Sequence, residues 1–485
     1  MITIDWMPDK SSDIPIYKQI IDYVKGKISN GEWEVGDRLP TQRELSHSFN
    51  VNRSTIIQAL DELKSEGLIE GKGSKGTRIV NNTWSVITST PPPNWQDYIE
   101  SGIHRPNLPT IQAINSLEFK PSMIRLGTGE LSPDIFPKEM MKKVMNRVSG
   151  KMNSLGYEQP KGSPYLRKVL SEYLKKYNIN VSPESILIVS GSLQALQLIS
   201  MGILHHGSMV LTEKPSYLKS LHIFQSAGMN LKGINMDGHG IIASEIQKNK
   251  SNNKTTLLYT IPTFHNPTGI VMPERRRRQI LEICEEERLP IIEDDAYREL
   301  WIDDEPPMPI KSKDNSGIVL YLGSISKTLA AGLRIGWLVG PQPVIDRLGD
   351  IKMQTDYGAS SLSQLTLAEW ISSGLYDEYL LRLRNEIKLR REIALRTLEE
   401  NFSDIASWDR PRGGFYIWTK LTKKISMNRL FSMALKEKLL INPGNIYDFA
   451  HNQNLRISYS YASLDDLESG LKRLSEVIRE CYRDN

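Results

Sequence analysis

A lysine with two serines before it and an arginine after it lies in the segment SISKTLAAGLRIGW. Lys327 follows Ser324 and Ser326, and Arg334 lies seven residues further on. A lysine amine can form a Schiff base when an aldehyde lies beside it. Two hydroxyl groups and a guanidinium at this spacing can hold a phosphate group. The segment therefore predicts a site for a ligand that carries an aldehyde and a phosphate.

Four motifs upstream offer side chains for the rest of such a ligand. They contain Ser192 in SGSLQ, Tyr217 in KPSY, Asn266 in HNPTG, and Asp294 and Tyr297 in EDDAY. Pyridoxal phosphate needs a carboxylate at its ring nitrogen, for which Asp294 is suited, and donors to its ring oxygen, such as Asn266 and Tyr297. Its phosphate suits a helix N-terminus and its ring stacks on an aromatic residue. Each motif alone is common, whereas the ordered set predicts pyridoxal 5'-phosphate as the cofactor.

The elements that must position these residues have the pattern of an α/β fold. Short apolar strands are predicted at 186–189, 209–211, 256–259, 291–293 and 318–321, separated by helical stretches. This alternation predicts crossover connections and a mostly parallel sheet. Open α/β sheets bind ligands at the carboxyl ends of their strands, where the polar motifs lie.

The first eighty residues predict three helices. Apolar residues recur every four positions from Ile16 to Ile28, which indicates an amphipathic helix. Thr41 and Glu44 predict a capping box for a second helix. Asn52 is the expected N-cap of a third helix, which ends at a glycine. Two short helices joined by a tight turn are typical of a helix-turn-helix.

The third helix and the segment after it carry groups that suit DNA. Arg53, Ser54 and Thr55 occupy the first turn of that helix, and such side chains reach base edges and phosphates. The sequence LIEGKGSKGTRIV then predicts two short strands around a glycine-rich turn with Lys72 and Lys75, which indicates a wing. A packing module without a DNA role is the simpler alternative, but helices, caps and wing all agree with the first interpretation.

Length and composition set the frame for both parts. The 485 residues are 39% apolar and 24% charged, which is typical of a folded chain with several domains. Two cysteines exclude a disulfide framework, and with no export signal they favour a cytoplasmic location. The uncharged stretch 185–212 is long enough to span a bilayer, but its glycines and polar residues favour a strand and a helix. Residues 1–80 hold 11 basic and 12 acidic side chains, so the DNA prediction depends on the motif and not on net charge.

Domain bounds follow from these patterns. We place the winged helix at 1–80 and a linker with a lead-in segment, which contains three consecutive prolines, at 81–120. The remaining residues, 121–485, form one α/β domain. Its larger part is expected at about 165–345 and its smaller part at 121–164 and 346–485.

Two other clusters have simpler interpretations. The run Arg275–Arg278 begins a helix, and a solvated face paired with the later glutamates is favoured over a second nucleic-acid patch. His205 and His206 lack acidic or thiol ligands at metal-binding spacing. We therefore predict no metal site.

The N-terminal segment from GDRLPTQRELSHSFN to GSKGTRIV resembles the DNA-binding signature of the GntR family of bacterial transcription regulators. The resemblance implies that Arg43, Arg53, Ser54 and Thr55 contact DNA. It also implies that the wing residues enter the minor groove, namely Lys72, Gly73, Ser74 and Lys75. Some members carry an arginine where this chain has Ile57.

The ordered motifs from about residue 120 onward resemble the fold-type I pyridoxal-phosphate aminotransferases. The resemblance implies an aldimine between Lys327 and the cofactor. Asp294 would pair with the pyridine nitrogen, and Asn266 and Tyr297 would bind the ring oxygen. Ser192, Ser324, Ser326 and Arg334 would hold the phosphate together with Tyr157 from the partner subunit. Arg456 in NLRISYS would pair with a ligand carboxylate, in a pocket lined by Gly129, and Leu193 departs from the glutamine of many relatives.

A winged helix fused to an aminotransferase-like domain resembles the MocR subfamily of GntR regulators, which implies a head-to-tail, domain-swapped homodimer on double-stranded operator DNA. Three hypotheses follow. The protein is a transcription regulator that senses an amino compound at Lys327, a working aminotransferase with an accessory DNA-binding domain, or a sensor of pyridoxal phosphate itself. A DNA-binding module favours regulation, because an ordinary transaminase does not need one.

Overall fold

The computed structural model describes residues 2–71, 76–81, 95–102, 107–250, 255–448 and 452–483. The chain divides into two compact units, residues 1–105 and 106–485. This division falls inside the predicted lead-in segment, which contains one helix of each unit.

The first unit contains four described helices and a two-stranded antiparallel hairpin. These are α1 (Ile16–Ser29), α2 (Gln42–Ser48), α3 (Arg53–Ser65), β1 (Ile69–Gly71), β2 (Thr77–Ile79) and α4 (Trp95–Ser101). Apolar side chains of α1 to α3 and of the hairpin share one buried core. The winged helix-turn-helix pattern is therefore present, although the tip of the hairpin, with Lys72, Gly73, Ser74 and Lys75, lies outside the described residues.

The predicted helix ends are present in the first unit. Thr41 Oγ1 accepts a hydrogen bond from the Glu44 N–H at 3.3 Å, and Glu44 Oε2 accepts one from the Thr41 N–H at 2.6 Å. Gly67 follows the end of α3 with φ +73°, a conformation that glycine adopts without strain. Asn52 precedes α3, but its side chain makes no capping hydrogen bond.

An aromatic cluster at the N-terminus adds to this core. Trp6 stacks on Tyr23 with ring centroids 4.9 Å apart and meets Phe49 edge-on at 6.1 Å. Stacked and edge-on rings stabilise a core beyond their buried area. The residues before α1 therefore pack against the helix-turn-helix.

The second unit begins with α5 (Pro109–Leu117) and is built around an eight-stranded sheet. Its strands are β4 (Ile186–Val189), β5 (Met209–Lys214), β6 (Asn230–Asp237), β7 (Gly240–Ile241), β8 (Thr256–Thr260), β9 (Ile291–Asp294), β10 (Val319–Ser324) and β11 (Gly336–Val339). Their order across the sheet is β4-β11-β10-β9-β8-β5-β6-β7. The neighbours from β10 through β6 are parallel, as predicted, because helical crossovers connect them.

Strand β11 is the antiparallel insertion in this sheet. It pairs antiparallel with both β10 and β4, so β4 runs in the same direction as β10. The carboxyl ends of β4, β5, β8, β9 and β10 therefore meet at one edge, where β11 begins. The motifs that follow the predicted strands lie at this edge.

The remaining helices surround this sheet and a smaller one. They are α6 (Lys138–Lys151), α7 (Pro164–Leu174), α8 (Ser192–Gly202), α9 (Leu218–Ser226), α10 (Ala243–Asn249), α11 (Glu274–Glu286), α12 (Gln342–Thr355), α13 (Ser361–Ser372), α14 (Leu375–Phe402), α15 (Met427–Lys436) and α16 (Leu464–Arg483). None of the helices in the described ranges is long and apolar enough to cross a membrane.

The smaller sheet is antiparallel, with order β12-β13-β16-β15. Its strands are β12 (Ala406–Trp408), β13 (Tyr416–Leu421), β15 (Asn442–Pro443) and β16 (Asn454–Ser458), and β14 (Leu439–Leu440) pairs separately with β3 (Ile124–Arg125). Arg456 lies in the middle of β16, opposite Trp418 of β13. The smaller sheet thus brings Arg456 toward the ligand edge of the larger one.

The arginine run at the start of α11 has partners other than those predicted. Arg276 pairs with Asp237 at 2.8 Å, and Arg278 lies 3.8 Å from Glu274, one turn earlier. Arg277 is buried and donates to the carbonyls of Met272 and Pro262, both at 2.9 Å. The predicted solvated face is present at Arg275 and Arg278, which are exposed, whereas Arg277 is buried against the loop after β8. The ion pairs of Arg276 and Arg278 are with Asp237 and Glu274 and not with the later glutamates of the helix.

Candidate functional site

Lys327 follows β10 and points back toward the start of the second unit. Its Nζ donates a hydrogen bond to the Gly129 carbonyl at 2.6 Å. Burial lowers the pKa of the Lys327 amine to about 8. A larger fraction of this amine is therefore unprotonated and nucleophilic at neutral pH than for an exposed lysine.

Gly129 leaves the space that this contact needs. A Cβ added to Gly129 would lie 2.2 Å from the Tyr416 hydroxyl and 3.7 Å from Lys327 Nζ. Only a residue without a side chain fits here. Gly129 was predicted to line the carboxylate pocket together with Arg456; both residues line one cavity, and the role of Gly129 there stays a prediction.

Asp294 is the last residue of β9 and is buried. One of its oxygens accepts from the Tyr259 hydroxyl at 2.9 Å and the other from the Ala296 N–H at 3.3 Å. Burial raises the pKa of the Asp294 carboxyl to about 6, and these hydrogen bonds oppose the shift. The group is thus mostly ionised at neutral pH and can pair with a protonated ring nitrogen.

Asn266, Tyr297 and Arg456 form one hydrogen-bonded chain. The Asn266 amide donates to the Tyr297 hydroxyl at 3.3 Å, and its oxygen accepts from Arg456 Nη1 at 2.8 Å. Arg456 Nη2 donates to the Gly127 carbonyl at 2.6 Å. The Arg456 Nε is buried and has no hydrogen-bond partner among the described residues. Two of the five guanidinium N–H groups are engaged in these hydrogen bonds, and the Nε–H is among those left for a ligand.

Two tyrosine rings enclose the guanidinium of Arg456. Its centre lies 4.0 Å from the Tyr416 ring centroid and 4.8 Å from that of Tyr447. The Tyr447 ring also stacks near Tyr217, with centroids 6.4 Å apart and planes at 28°. Cation–π contacts hold a buried guanidinium charged and fixed in place.

A cavity of ≈ 80 Å³ opens beside Arg456. Its lining combines polar and apolar groups from several elements, namely Ile111, Ile114, Glu118, Gly127, Thr128, Gly129, Tyr217, Asn442, Ile446, Tyr447 and Arg456. Helix α5, which the sequence predicted only as lead-in, contributes Ile111 and Ile114. The cavity can hold a small organic group next to the free guanidinium N–H.

The predicted phosphate-binding groups lie together at the start of α8 and β11. Ser324 Oγ and Ser326 Oγ are 3.0 Å apart, and Arg334 Nη2 donates to the Ser190 carbonyl at 2.7 Å. Gly191 has φ +98°, and a Cβ added there would lie 2.8 Å from Arg334 Nη2. Helix α8 begins at Ser192, so its first N–H groups face the same turn. Hydroxyls, guanidinium and helix N-terminus together form an anion cradle.

Tyr157, a predicted site residue, and Leu193, which departs from the family pattern, lie apart from these contacts. Tyr157 is 84% exposed and touches Tyr357 edge-on, with centroids 5.0 Å apart. Leu193, in the first turn of α8, is half exposed. A role of Tyr157 in the partner's site stays a prediction.

The predicted DNA-contacting residues of the first unit lie on its surface. Arg43, Arg53 and Ser54 are exposed and Thr55 is half-buried. Arg53 Nη2 donates to Gln42 Oε1 at 3.1 Å, which links the first turn of α3 to the start of α2. This link sets the direction of the arginine side chain.

Both units match known families. Residues 16–79 match the bacterial regulatory proteins of the gntR family, and residues 121–474 match aminotransferase class I and II. The HTH-type transcriptional regulator YisV of Bacillus subtilis is 53% identical over 99% of each chain. The HTH-type transcriptional regulator NorG of Staphylococcus aureus is 33% identical over 91% of this chain and 100% of its own. This chain is a GntR-family transcription regulator with an aminotransferase-like domain. That is the domain arrangement of the MocR subfamily.

Solved aminotransferases share the fold of the regulator's second unit. The kynurenine aminotransferase of Pyrococcus horikoshii, solved in complex with PMP, is 32% identical, with a TM-score of 0.73 over 78% of this chain and 95% of its own. The alpha-aminoadipate aminotransferase of Thermus thermophilus, complexed with N-(5'-phosphopyridoxyl)-L-leucine, is 27% identical, with a TM-score of 0.74 over 81% of this chain and 100% of its own. The fold-type I prediction is therefore confirmed.

Three tyrosines of the regulator's site were missed at the sequence level. Tyr259 lies within a buried strand, where tyrosine is an ordinary core residue. Tyr416 begins β13 and Tyr447 lies in the loop between β15 and β16, so both are far along the chain from most of the other motifs. The glycine pair before Phe415 and Tyr416 is the one local signal, because it marks a close backbone approach.

Proposed function

We propose that this regulator binds pyridoxal 5'-phosphate at Lys327 and senses an amino compound whose carboxylate pairs with Arg456. The observation that carries the proposal is the convergence, at one sheet edge, of a partly buried amine, a buried carboxylate and an anion cradle. The second support is the guanidinium of Arg456, which keeps a free N–H beside a cavity.

The donor set fits this cofactor group by group. Asp294 would face the ring nitrogen, and Asn266 and Tyr297 would donate to the ring oxygen. Ser192, Ser324, Ser326 and Arg334 would hold the phosphate, and Tyr217 would stack on the ring. The cofactor, when bound, supplies an electron sink. No metal would be needed, and the described residues contain no cluster of three or more metal-ligating side chains.

The chain's own residues define what a ligand must offer. Lys327 presents a partly unprotonated amine, held in place by the Gly129 carbonyl. Arg456 presents a charge held by two tyrosine rings, so a carboxylate meets a preorganised partner. Since Glu118 and apolar residues line the cavity, an α-amino carboxylate is the ligand class that matches all contacts.

Regulation then requires that the ligand favours one conformation over another. A ligand shifts an equilibrium only by its difference in affinity for the two states. We propose that closure of the ligand site changes the placement of the winged helices on operator DNA, within a head-to-tail homodimer to which Tyr157 contributes across the subunits.

A second candidate function is transamination. It is favoured by the Lys327 amine, whose pKa near 8 suits proton transfer at neutral pH, and by the complete set of side chains around it. Steady production of a keto acid from an amino acid would support this candidate, whereas binding without turnover would support regulation alone.

The test combines absorbance spectra with DNA binding on the full chain. Purified protein is loaded with pyridoxal phosphate, screened against amino compounds, and then measured on DNA from beside its own gene. We expect one amino acid to shift the visible band and the DNA affinity together. Lys327→Ala is expected to lose the band, whereas the exposed control Lys472→Ala is expected to keep it.

Three other outcomes would contradict parts of the proposal. A band retained in Lys327→Ala would reject the lysine assignment. DNA binding that responds to the cofactor but to no amino compound would show a sensor of pyridoxal phosphate. DNA binding that responds to neither would reject ligand control.

A further inference from the structure

Helix α3 presents one apolar side chain on its exposed surface. Ile57 is 38% exposed. The other apolar side chains of the helix face the core of the first unit, namely Ile56, Ala59, Leu60 and Leu63. Within residues 16–71 and 76–79, Ile57 is the one large apolar side chain that is exposed. The surface of the helix-turn-helix thus offers a single apolar group.

The position of Ile57 on the helix places it beside the predicted DNA-contacting groups. It lies one turn after Arg53 and three residues after Ser54, and residues three and four apart are neighbours on a helix surface. Each Cα–Cβ bond of a helix tilts toward the N-terminus, so the Ile57 side chain leans toward the turn that holds the other two. All three side chains are exposed. They form one continuous surface, which we call the α3 patch (Arg53, Ser54 and Ile57).

Charged side chains define the ends of the α3 patch. Arg53 Nε and Nη2 donate to Gln42 Oε1 at 3.3 and 3.1 Å, which holds the guanidinium on the side of α2. Asp61, one turn after Ile57, is exposed and pairs with Lys64 at 3.0 Å. The negative phosphates of DNA disfavour an acidic side chain, so we place the end of the base-reading surface before Asp61. This surface therefore covers the N-terminal turns of α3, the part of a recognition helix that contacts base edges.

An apolar group on a base-reading surface has one complementary partner in the major groove. Thymine presents a methyl group there, whereas the other groups on the base edges are hydrogen-bond donors and acceptors. An isoleucine placed against those groups would remove them from water without pairing them. In a helix, isoleucine has one strongly preferred χ1 rotamer, so its contact with a methyl group costs little side-chain entropy. Ile57 therefore matches a thymine better than any other base.

A protein partner matches this surface less well. The centre of a protein interface is built from several apolar side chains, with charged residues depleted. Residues 16–71 and 76–79 expose one such side chain, and it lies beside an arginine and a serine. A target of the size of one methyl group fits this arrangement.

We propose that Ile57 is a specificity-determining residue that contacts the methyl group of a thymine in the major groove of the operator. Side chains one helical turn apart have Cβ atoms about 5–6 Å apart, and the bases of one strand are spaced about 3.4 Å apart. The thymine therefore lies within about two base pairs of the base that Arg53 contacts. This proposal rests on the DNA-binding part of the proposed function and not on the cofactor assignment.

The first experiment selects sequences from duplex DNA with a randomised segment. The full-length protein is used, loaded with pyridoxal phosphate. We expect the wild type to enrich a thymine–adenine pair at one position where Ile57→Ala shows no preference, while the other enriched positions stay the same. Ile14→Ala is the matched control, because Ile14 is also exposed, at 51%, but precedes α1. It is expected to select the same sequence as the wild type.

The second experiment isolates the methyl group. Each thymine of the selected duplex is replaced in turn by deoxyuridine, which lacks only that methyl group, and affinity is measured by fluorescence anisotropy. For the wild type we expect a loss of about fourfold at one thymine, which corresponds to one buried methyl group. Ile57→Ala is expected to bind the thymine and deoxyuridine duplexes equally. Since alanine favours helices, this variant is expected to fold, and thermal unfolding checks it.

Three results would overturn the proposal. They are a selected sequence that Ile57→Ala leaves unchanged, the absence of any deoxyuridine effect in the wild type, and an equal deoxyuridine effect in both proteins. If the wild type selects no sequence, DNA reading by α3 is rejected and the proposal with it. The visible band of Lys327→Ala tests the cofactor assignment separately, because the comparison of thymine with deoxyuridine does not use that band.

Discussion

Replacing Arg456 with alanine tests whether its guanidinium recognises a ligand carboxylate. In the structure, Nη1 and Nη2 already donate to Asn266 and to the Gly127 carbonyl, and the buried Nε alone lacks a partner. The guanidinium has five N–H groups, so a carboxylate can gain one new charge-assisted hydrogen bond without displacing these partners.

This count limits the expected effect. One hydrogen bond to a charged group contributes roughly 1.5–3 kcal/mol, which corresponds to a loss of about 10- to 150-fold in affinity. A full bidentate pair without competing partners would contribute about twice that free energy. An α-amino acid should thus lose affinity within this range, whereas the amine formed by its decarboxylation should lose almost none.

The assay is a spectral titration of cofactor-loaded wild-type and variant proteins with such a matched pair of ligands. Arg125→Ala is the control, because Arg125 also lies over a tyrosine ring, that of Tyr461 at 4.5 Å, but does not line the cavity. Thermal unfolding checks that each variant is folded. Equal losses for the acid and the amine would refute the role assigned to Arg456.

Three further predictions concern other parts of the site and the first unit. Arg53→Ala is expected to weaken operator binding by roughly 1–3 kcal/mol, measured by fluorescence anisotropy, and to leave the cofactor absorbance unchanged. The control Lys10→Ala, at an exposed position, is expected to bind operator like the wild type, and equal DNA affinities of Arg53→Ala and wild type would contradict the placement of Arg53. The rate at which Lys327 captures added pyridoxal phosphate should rise with pH through a midpoint of about 8, because burial lowers the pKa of this amine, and a midpoint near that of a free lysine would show that the amine is solvated. Gly191→Ala is expected to destabilise the fold by roughly 1–3 kcal/mol and to weaken cofactor binding. The reason is that φ is +98° and that the new methyl group would lie 2.8 Å from Arg334 Nη2. An unchanged melting temperature would show that the turn accommodates a side chain.

The parts of the site that lie directly after predicted strands could be found from the sequence. Asp294, Asn266 and Ser324 each end or follow an apolar run, and a parallel sheet brings such positions to one edge. The capping box at Thr41 was likewise a local pattern, and it is present.

Contacts between distant elements could not be predicted in this way. Strand β11 has four residues and follows the phosphate-binding motif closely, so its antiparallel insertion between β4 and β10 left no separate signal. Tyr416 and Tyr447 likewise left no sequence signal for their contacts with Arg456, because these contacts form only when the smaller sheet packs beside the larger one. Helix α5 lies within the segment assigned to the linker and lead-in, and its nine residues give only a short amphipathic pattern.

The amide of Asn266 makes two contacts with consequences for how such regulators diverge. Its nitrogen faces Tyr297, on the side expected to hold the cofactor ring, and its oxygen holds Arg456, on the side expected to receive the effector. A substitution of Asn266 is therefore expected to alter effector preference and cofactor retention together. New specificities are expected to arise in the cavity wall, at Ile111, Ile114 or Glu118, where a substitution leaves that amide in place.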